Sequence, residues 1–291
     1  MNLLTACVLA TGCLTQQAIP VDAGDIARGR SFWSFCQPER CVVPQTSDPA
    51  WPRDSLDSFI LAKLDERDLK PVGDASREVY LRRLSFDLTG LPPVREAVET
   101  FRSDDSPMAF ESLVDRLLSS PGFGQRWGRH WLDVARYASS VGSTKNYVFR
   151  HAWRYRDYVL DALNVDKPYD AFVREQIAGD LLPADSVWRC SRNRTATGFL
   201  TLGCQSFNEM DPGRYRAEEV AEQVDTIGRA FLELTLDCAR CHDHQFAPIP
   251  TRDFYALAGI PRSTQVLSGF RRSICPVPAW NLRRFAGWTG A

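Results

Sequence analysis

Val220, Val224, Ile227, Phe231 and Leu234 recur at spacings of four, three, four and three residues. That spacing is the period of one helix face, and it predicts a helix over Arg216–Leu234. The same reading extends along the chain. After Trp51-Pro52, the stripe Leu56, Phe59, Ile60 and Leu64 predicts a helix. Ser106-Pro107 has the form of a helix start, with Phe110, Leu113, Val114, Leu117 and Leu118 as its buried face. Gly124–Ala138, Trp153–Leu163 and Tyr169–Ala178 read as three more helices. Pro- and Gly-containing breaks separate these stretches, and no run of β-branched residues alternates with polar ones. The expected fold is mainly α: a single irregular helical domain with long loops.

Composition narrows the partners. The 291 residues are 44% hydrophobic and 24% charged, with a net charge of −1, which suits a globular chain. Such a balance creates no global basic field, so neither nucleic acid nor an anionic lipid surface is an expected partner. Residues 1–20 carry no charge, and their apolar run Leu3–Leu14 is shorter than the roughly 20 residues of a membrane span. No transmembrane span is expected. Residues 1–30 are read as an export leader without the usual basic start, or as the remnant of an upstream region.

Of the nine cysteines, at 7, 13, 36, 41, 190, 204, 238, 241 and 275, only Cys238 and Cys241 form a motif. In an exported protein, Cys36 with Cys41 and Cys190 with Cys204 are candidate disulfides. The motif is the stretch CARCHDHQF, residues 238–246. A c-type haem needs two thiols to add to its vinyl groups and an imidazole on its iron, and Cys238, Cys241 and His242 supply all three from one turn. Phe246, Pro248 and Pro250 are placed to wall a haem edge. Candidate ligands for the opposite face of the iron are His130, His151, Met108 and Met210. His244 stands too close in sequence to His242 to reach that face.

Other readings of the same turn remain open. Zinc, or another transition metal, needs further ligands, for which His244 and either Cys204 or His130 are candidates. A redox dithiol normally follows a strand, and none is expected here. A disulfide between Cys238 and Cys241 in an interaction scaffold is a third reading. A second dense stretch, Trp127 to Tyr137, places His130, Asp133 and Tyr137 near one helix face. There Asp133 either orients His130 or pairs with Arg129 or Arg136. Economy of polar burial leads us to expect His130 and Asp133 beside the Cys238–His244 turn. No catalytic residue is assigned.

Several ordered motifs carry a family resemblance. They are SFWSF at 31–35, WPRDSLDSFILAKL at 51–64, LRRLSFDLTGLPP at 81–93, RWGRHWLDVARYA at 126–138, AWRYRDYVLDALNVDKPYDAFVREQIAGDLLP at 152–183, and VDTIGRAFLELTLDCARCHDHQFAPIPTRDFYAL at 224–257. Together they resemble the planctomycete cytochrome-c-related family, the domain of unknown function 1549 (PSCyt2). The resemblance runs over residues 31–258 and leaves 259–291 as an irregular, basic tail. It implies an exported protein, periplasmic or associated with the cell envelope. It also implies neighbouring domains that this sequence does not show. The sequence departs from the family where Ser139 and Ala247 stand in place of acidic residues.

The expected function is a c-type haem-binding electron-transfer module of an exported oxidoreductase system. Its partners would be other redox or envelope proteins. The alternative is a haem-free, metal-stabilised enzyme or binding domain acting on envelope polysaccharide, motivated by His244 and by the Trp-, Tyr- and Arg-rich helices. The sequence leaves the oligomeric state open.

Overall fold

A computed structural model describes residues 26–142, 146–203 and 209–263. The helical expectation is borne out. Among the described residues there is no strand, and the β-type pairing is an isolated antiparallel bridge between Ser140 and Val148. The chain groups into two compact units. The described residues up to Ser76 form the first with Gln245–Pro248, and Arg77–His244 with the described residues from Ile249 onward form the second.

The first unit holds α1 (Ile26–Arg30) and α2 (Ser55–Asp65). Asp54 starts α2, its carboxylate accepting the backbone N–H groups of Leu56 and Asp57 at 2.8 and 3.1 Å, which satisfies two donors that no helix start can satisfy internally. At the other end Asp65 accepts the backbone N–H and hydroxyl of Ser47. These bonds, the backbone one foremost, hold the Asp65 carboxyl below its ordinary pKa. Along α2 Leu61 is buried, whereas Leu56 and Ile60 are exposed. The expected stripe identified the helix but not its covered edge. Spacing fixes which residues share a face, and the neighbours decide which edge of that face loses water.

The second unit begins with α3 (Arg77–Thr89), α4 (Arg95–Ser103) and α5 (Ala109–Leu118). Leu81, Phe101, Ala109 and Leu113 pack into one apolar cluster. Phe110, expected inside, is half-exposed. Arg77 lies over both Phe101 and Phe110, at 4.4 and 5.2 Å from the ring centres, and donates to the Phe101 and Asp104 carbonyls. An arginine stem and guanidinium therefore cover part of a surface the apolar pattern assigned to the core.

The main core follows. It is built by α6 (Pro121–Val134), α7 (Ala152–Asn164), α8 (Tyr169–Ala178) and α9 (Val187–Ala196). Ser120 caps α6 and Pro121 occupies its first turn, where the missing N–H costs nothing. α6 and α7 approach through Gly124 and Gly128. A Cβ on Gly128 would stand 2.4 Å from Leu160 Cδ2, and one on Gly124 would collide with the Asn164 side chain. Leu132, Tyr155, Tyr158, Val159, Phe172, Phe199 and Ile227 fill the core, each large apolar side chain contributing about 1.5–3 kcal/mol. Tyr155 is buried with its hydroxyl satisfied. It accepts from Trp131 Nε1 at 3.0 Å and donates to Gln176 at 2.7 Å.

Helix α10 (Pro212–Ile227) carries the first part of the four- and three-residue apolar spacing. Val220, Val224 and Ile227 are buried. Asp211 caps it and Pro212 opens it. The helix then widens into a π turn over Gly228–Leu232 and stops at Glu233, which is left-handed at φ 56°. After a 3-10 turn over Asp237–Arg240, α11 runs from Thr251 to Ser263 with Pro261 inside it. Helix α11 packs on α10 and on that 3-10 turn. No described helix is long and apolar enough to cross a membrane.

Candidate functional site

Cys238, Cys241 and His242 sit on and just after the 3-10 turn that follows α10. The Cys241 N–H reaches back to the Cys238 carbonyl at 3.4 Å. Ala239 between the cysteines is fully buried, whereas both thiols are exposed and free. The expected alternative of a Cys238–Cys241 disulfide is thereby corrected. The buried Ala239 serves as the foot of the turn, and the two cysteines flank it on the solvent side.

Four side chains hold this turn. Asp225, on α10, accepts the backbone N–H groups of Leu236 and Asp237 with one oxygen, at 3.0 and 3.2 Å. Its other oxygen pairs with Arg229. Tyr255, on α11, donates its hydroxyl to the Arg240 carbonyl at 3.1 Å. The Asp243 carboxylate accepts the N–H of Thr251, the first residue of α11, at 2.8 Å, where the positive end of a helix favours a negative charge. Thr235 meets the ring of His244, Oγ1 to Nε2, at 3.2 Å.

The two histidines of the motif point to opposite environments. His244 is buried. Burial, and then the neighbouring His242, push its imidazole below the ordinary value. His242 is exposed, and its Nδ1 lies 2.7 Å from the Asp243 carbonyl oxygen. A carbonyl oxygen only accepts, so Nδ1 carries the proton of the neutral ring. Nε2 is left with its lone pair, the arrangement in which a histidine ligates a metal through Nε2 and is held by a bond at its other nitrogen. The donor set therefore fits a c-type haem: two exposed thiols one turn apart and an imidazole with Nε2 free to ligate.

The other expected residues are described by their local contacts. His130 and Asp133 are both exposed on α6. The His130 ring packs edge-on against Trp127 at 5.5 Å, and Asp133 pairs with Arg129 at 3.2 Å. Of the two readings of that stretch, the geometry is that of a local ion pair. Helix α6 packs on α3, α5 and α7. Among the described residues no three His, Cys, Asp or Glu side chains come together as a metal site. His151, before α7, is exposed, as is Met108 before α5. Met210 precedes α10, whose 16 residues separate it by about 24 Å of helix from the end that leads to the motif. Phe246 and Pro248 belong to the first compact unit. Cys36 and Cys41, expected to pair, are free and exposed. Cys190 is disulfide-bonded, while Cys204, its expected partner, lies outside the described residues.

Sequence reasoning missed Asp225, Thr235, Tyr255 and the role of Asp243. Only Pro250-Thr251-Arg252-Asp253 gave a usable signal, as a helix start with an acid in its first turn. It announces a helix without saying that Asp243 will cap it.

A family model, PSCyt2, a protein of unknown function (DUF1549), matches residues 55–266. Neither a curated protein nor a solved structure matches the chain.

Proposed function

The chain belongs to the PSCyt2 (DUF1549) family, and from that premise we propose that it is a c-type haem-binding electron-transfer module. Cys238 and Cys241 would hold the haem through thioether bonds, and His242 would supply the imidazole to its iron. The observation that carries the reading is the His242–Asp243 hydrogen bond, because a bare pair of cysteines beside a histidine does not by itself set the ring nitrogen that faces a metal.

When bound, haem supplies an iron centre that takes up and releases one electron. The chain's own residues do the rest. Each exposed thiol would supply its sulfur to one vinyl carbon and its hydrogen to the neighbouring one, an addition that would consume no oxidant. Asp225, Tyr255 and Asp243 fix the backbone of the turn that carries Cys238, Cys241 and His242. The disulfide at Cys190 fits an exported, oxidising compartment, periplasmic or at the cell envelope. The partners in this reading are other redox or envelope proteins.

The test is covalent attachment. Co-expressed with haem-attachment machinery and exported, the protein is expected to give a haem-positive band on a denaturing gel, and Cys238→Ala with Cys241→Ala to abolish it. A colourless wild-type protein under those conditions overturns the proposal.

A further inference from the structure

A haem-attachment motif ends at its first histidine, yet here a second follows at His244. The structure makes the two histidines unlike. His242 is exposed, and His244 is buried with its ring on Thr235. The peptide unit joining Asp243 to His244 links them. Its carbonyl oxygen accepts from His242 Nδ1 at 2.7 Å. Its N–H, which belongs to His244, donates to the Ile249 carbonyl at 2.9 Å. A peptide unit is planar, so both bonds turn as one rigid plate. The plate is anchored on one side by the Asp243 carboxylate on the Thr251 N–H and on the other by the buried His244 ring.

We propose that His244 is a positioning residue for His242: its buried ring and backbone N–H lock the Asp243 carbonyl in place, and that carbonyl holds His242 as the Nδ1–H tautomer with Nε2 ready to ligate. His244 is then not itself a ligand. The outer histidine meets the metal and the inner one sets its orientation. The inference rests on the haem reading for its consequence at iron, but the tautomer is a property of the protein alone.

The first measurement uses the full chain produced without haem-attachment machinery, with its imidazole nitrogens labelled. Nitrogen NMR, well above the ordinary imidazole pKa, reads the tautomer of His242. Free histidine in water favours the Nε2–H form. We expect the Nδ1–H form in this protein. In His244→Ala, and in the near-isosteric Thr235→Val, the ratio of Nδ1–H to Nε2–H should fall about fivefold, the weight of one ordinary hydrogen bond. His244→Gln, whose amide still reaches for Thr235, is expected to restore most of it. If His244→Ala does not fold, Thr235→Val decides alone. A wild-type His242 in the Nε2–H form, or an unchanged ratio in Thr235→Val, overturns the proposal.

A second measurement uses the haem-loaded protein. Loosening the Nδ1–H bond makes His242 a poorer electron donor to iron, so the reduction potential should rise in Thr235→Val; an unmoved potential overturns the consequence drawn for iron. If no haem attaches at all, the function proposed above fails while the tautomer result stands, so the two failures are distinguishable.

Discussion

Individual residues in this protein carry opposing demands, and Arg136 shows it most plainly. Its φ is 53°, a region that favours glycine. It leaves α6 there and pairs with Glu222 on α10, at 2.7 Å, with both side chains largely buried. Burial lowers the arginine's pKa and raises the acid's, and the mutual attraction opposes both shifts. Gly203 lies against the pair, where any Cβ would collide with both side chains. Removing one partner leaves the other charge half-stranded. Arg136→Met or Glu222→Leu should each cost about 3 kcal/mol in urea unfolding, and the double variant Arg136→Met with Glu222→Leu should be more stable than either single variant. Additive losses in the double variant would show that the pair does not act as a unit. None of this was readable from the sequence, where Arg136 was only one of two arginines near Asp133. The motif residues Cys238, Cys241 and His242 were readable, because their chemistry depends on adjacency and adjacency is what a sequence records. The residues that fix them were not. Asp225 acts across 11 and 12 positions, and Tyr255 across 15.

Among elements, pattern and structure agree on where helices form more closely than on where they end. Helix α8 was expected over Tyr169–Ala178 and has those bounds. Helix α10 was expected to reach Leu234, and its regular part stops at Ile227 before the π turn. The apolar spacing continues through that turn, which is why periodicity alone did not mark the change. Helix α2 ends in a local polar clamp, and acid offers a way to open it. The Ser47 bonds hold the Asp65 carboxyl below its ordinary value of 3.8. A carboxyl with a depressed folded-state pKa binds its proton more readily when the clamp is open. The stabilisation is therefore fully present above about pH 4 and is lost as pH falls through the folded value. Carbon NMR of Asp65 should show the depressed titration, and Ser47→Ala, which removes the hydroxyl bond, should move it part-way back. An Asp65 that titrates at its ordinary value in the wild-type protein rules the clamp out.

For the molecule as a whole, two kinds of sulfur bond are expected to respond differently to reductant. Cys190 is disulfide-bonded, and a disulfide, which a thiol reductant can exchange, typically stabilises by about 2–4 kcal/mol. Under the proposed haem attachment, thioether bonds at Cys238 and Cys241 would not be disulfides and would not exchange. Reductant should lower the melting temperature of the haem-loaded protein while its colour survives boiling and thiol alkylation. Colour lost with reductant alone would mean that haem is not held by those two cysteines. The sequence by itself determined the helical class, the bounds of α8 and the neighbouring residues of the motif, because period and adjacency are local quantities. Only the tertiary structure decided which edge of each helix is covered, that the two motif thiols stand free in solvent, and that His244 turns inward while His242 turns out. Those outcomes depend on which distant groups a side chain meets, and a chain of 291 residues sets those meetings by packing rather than by order.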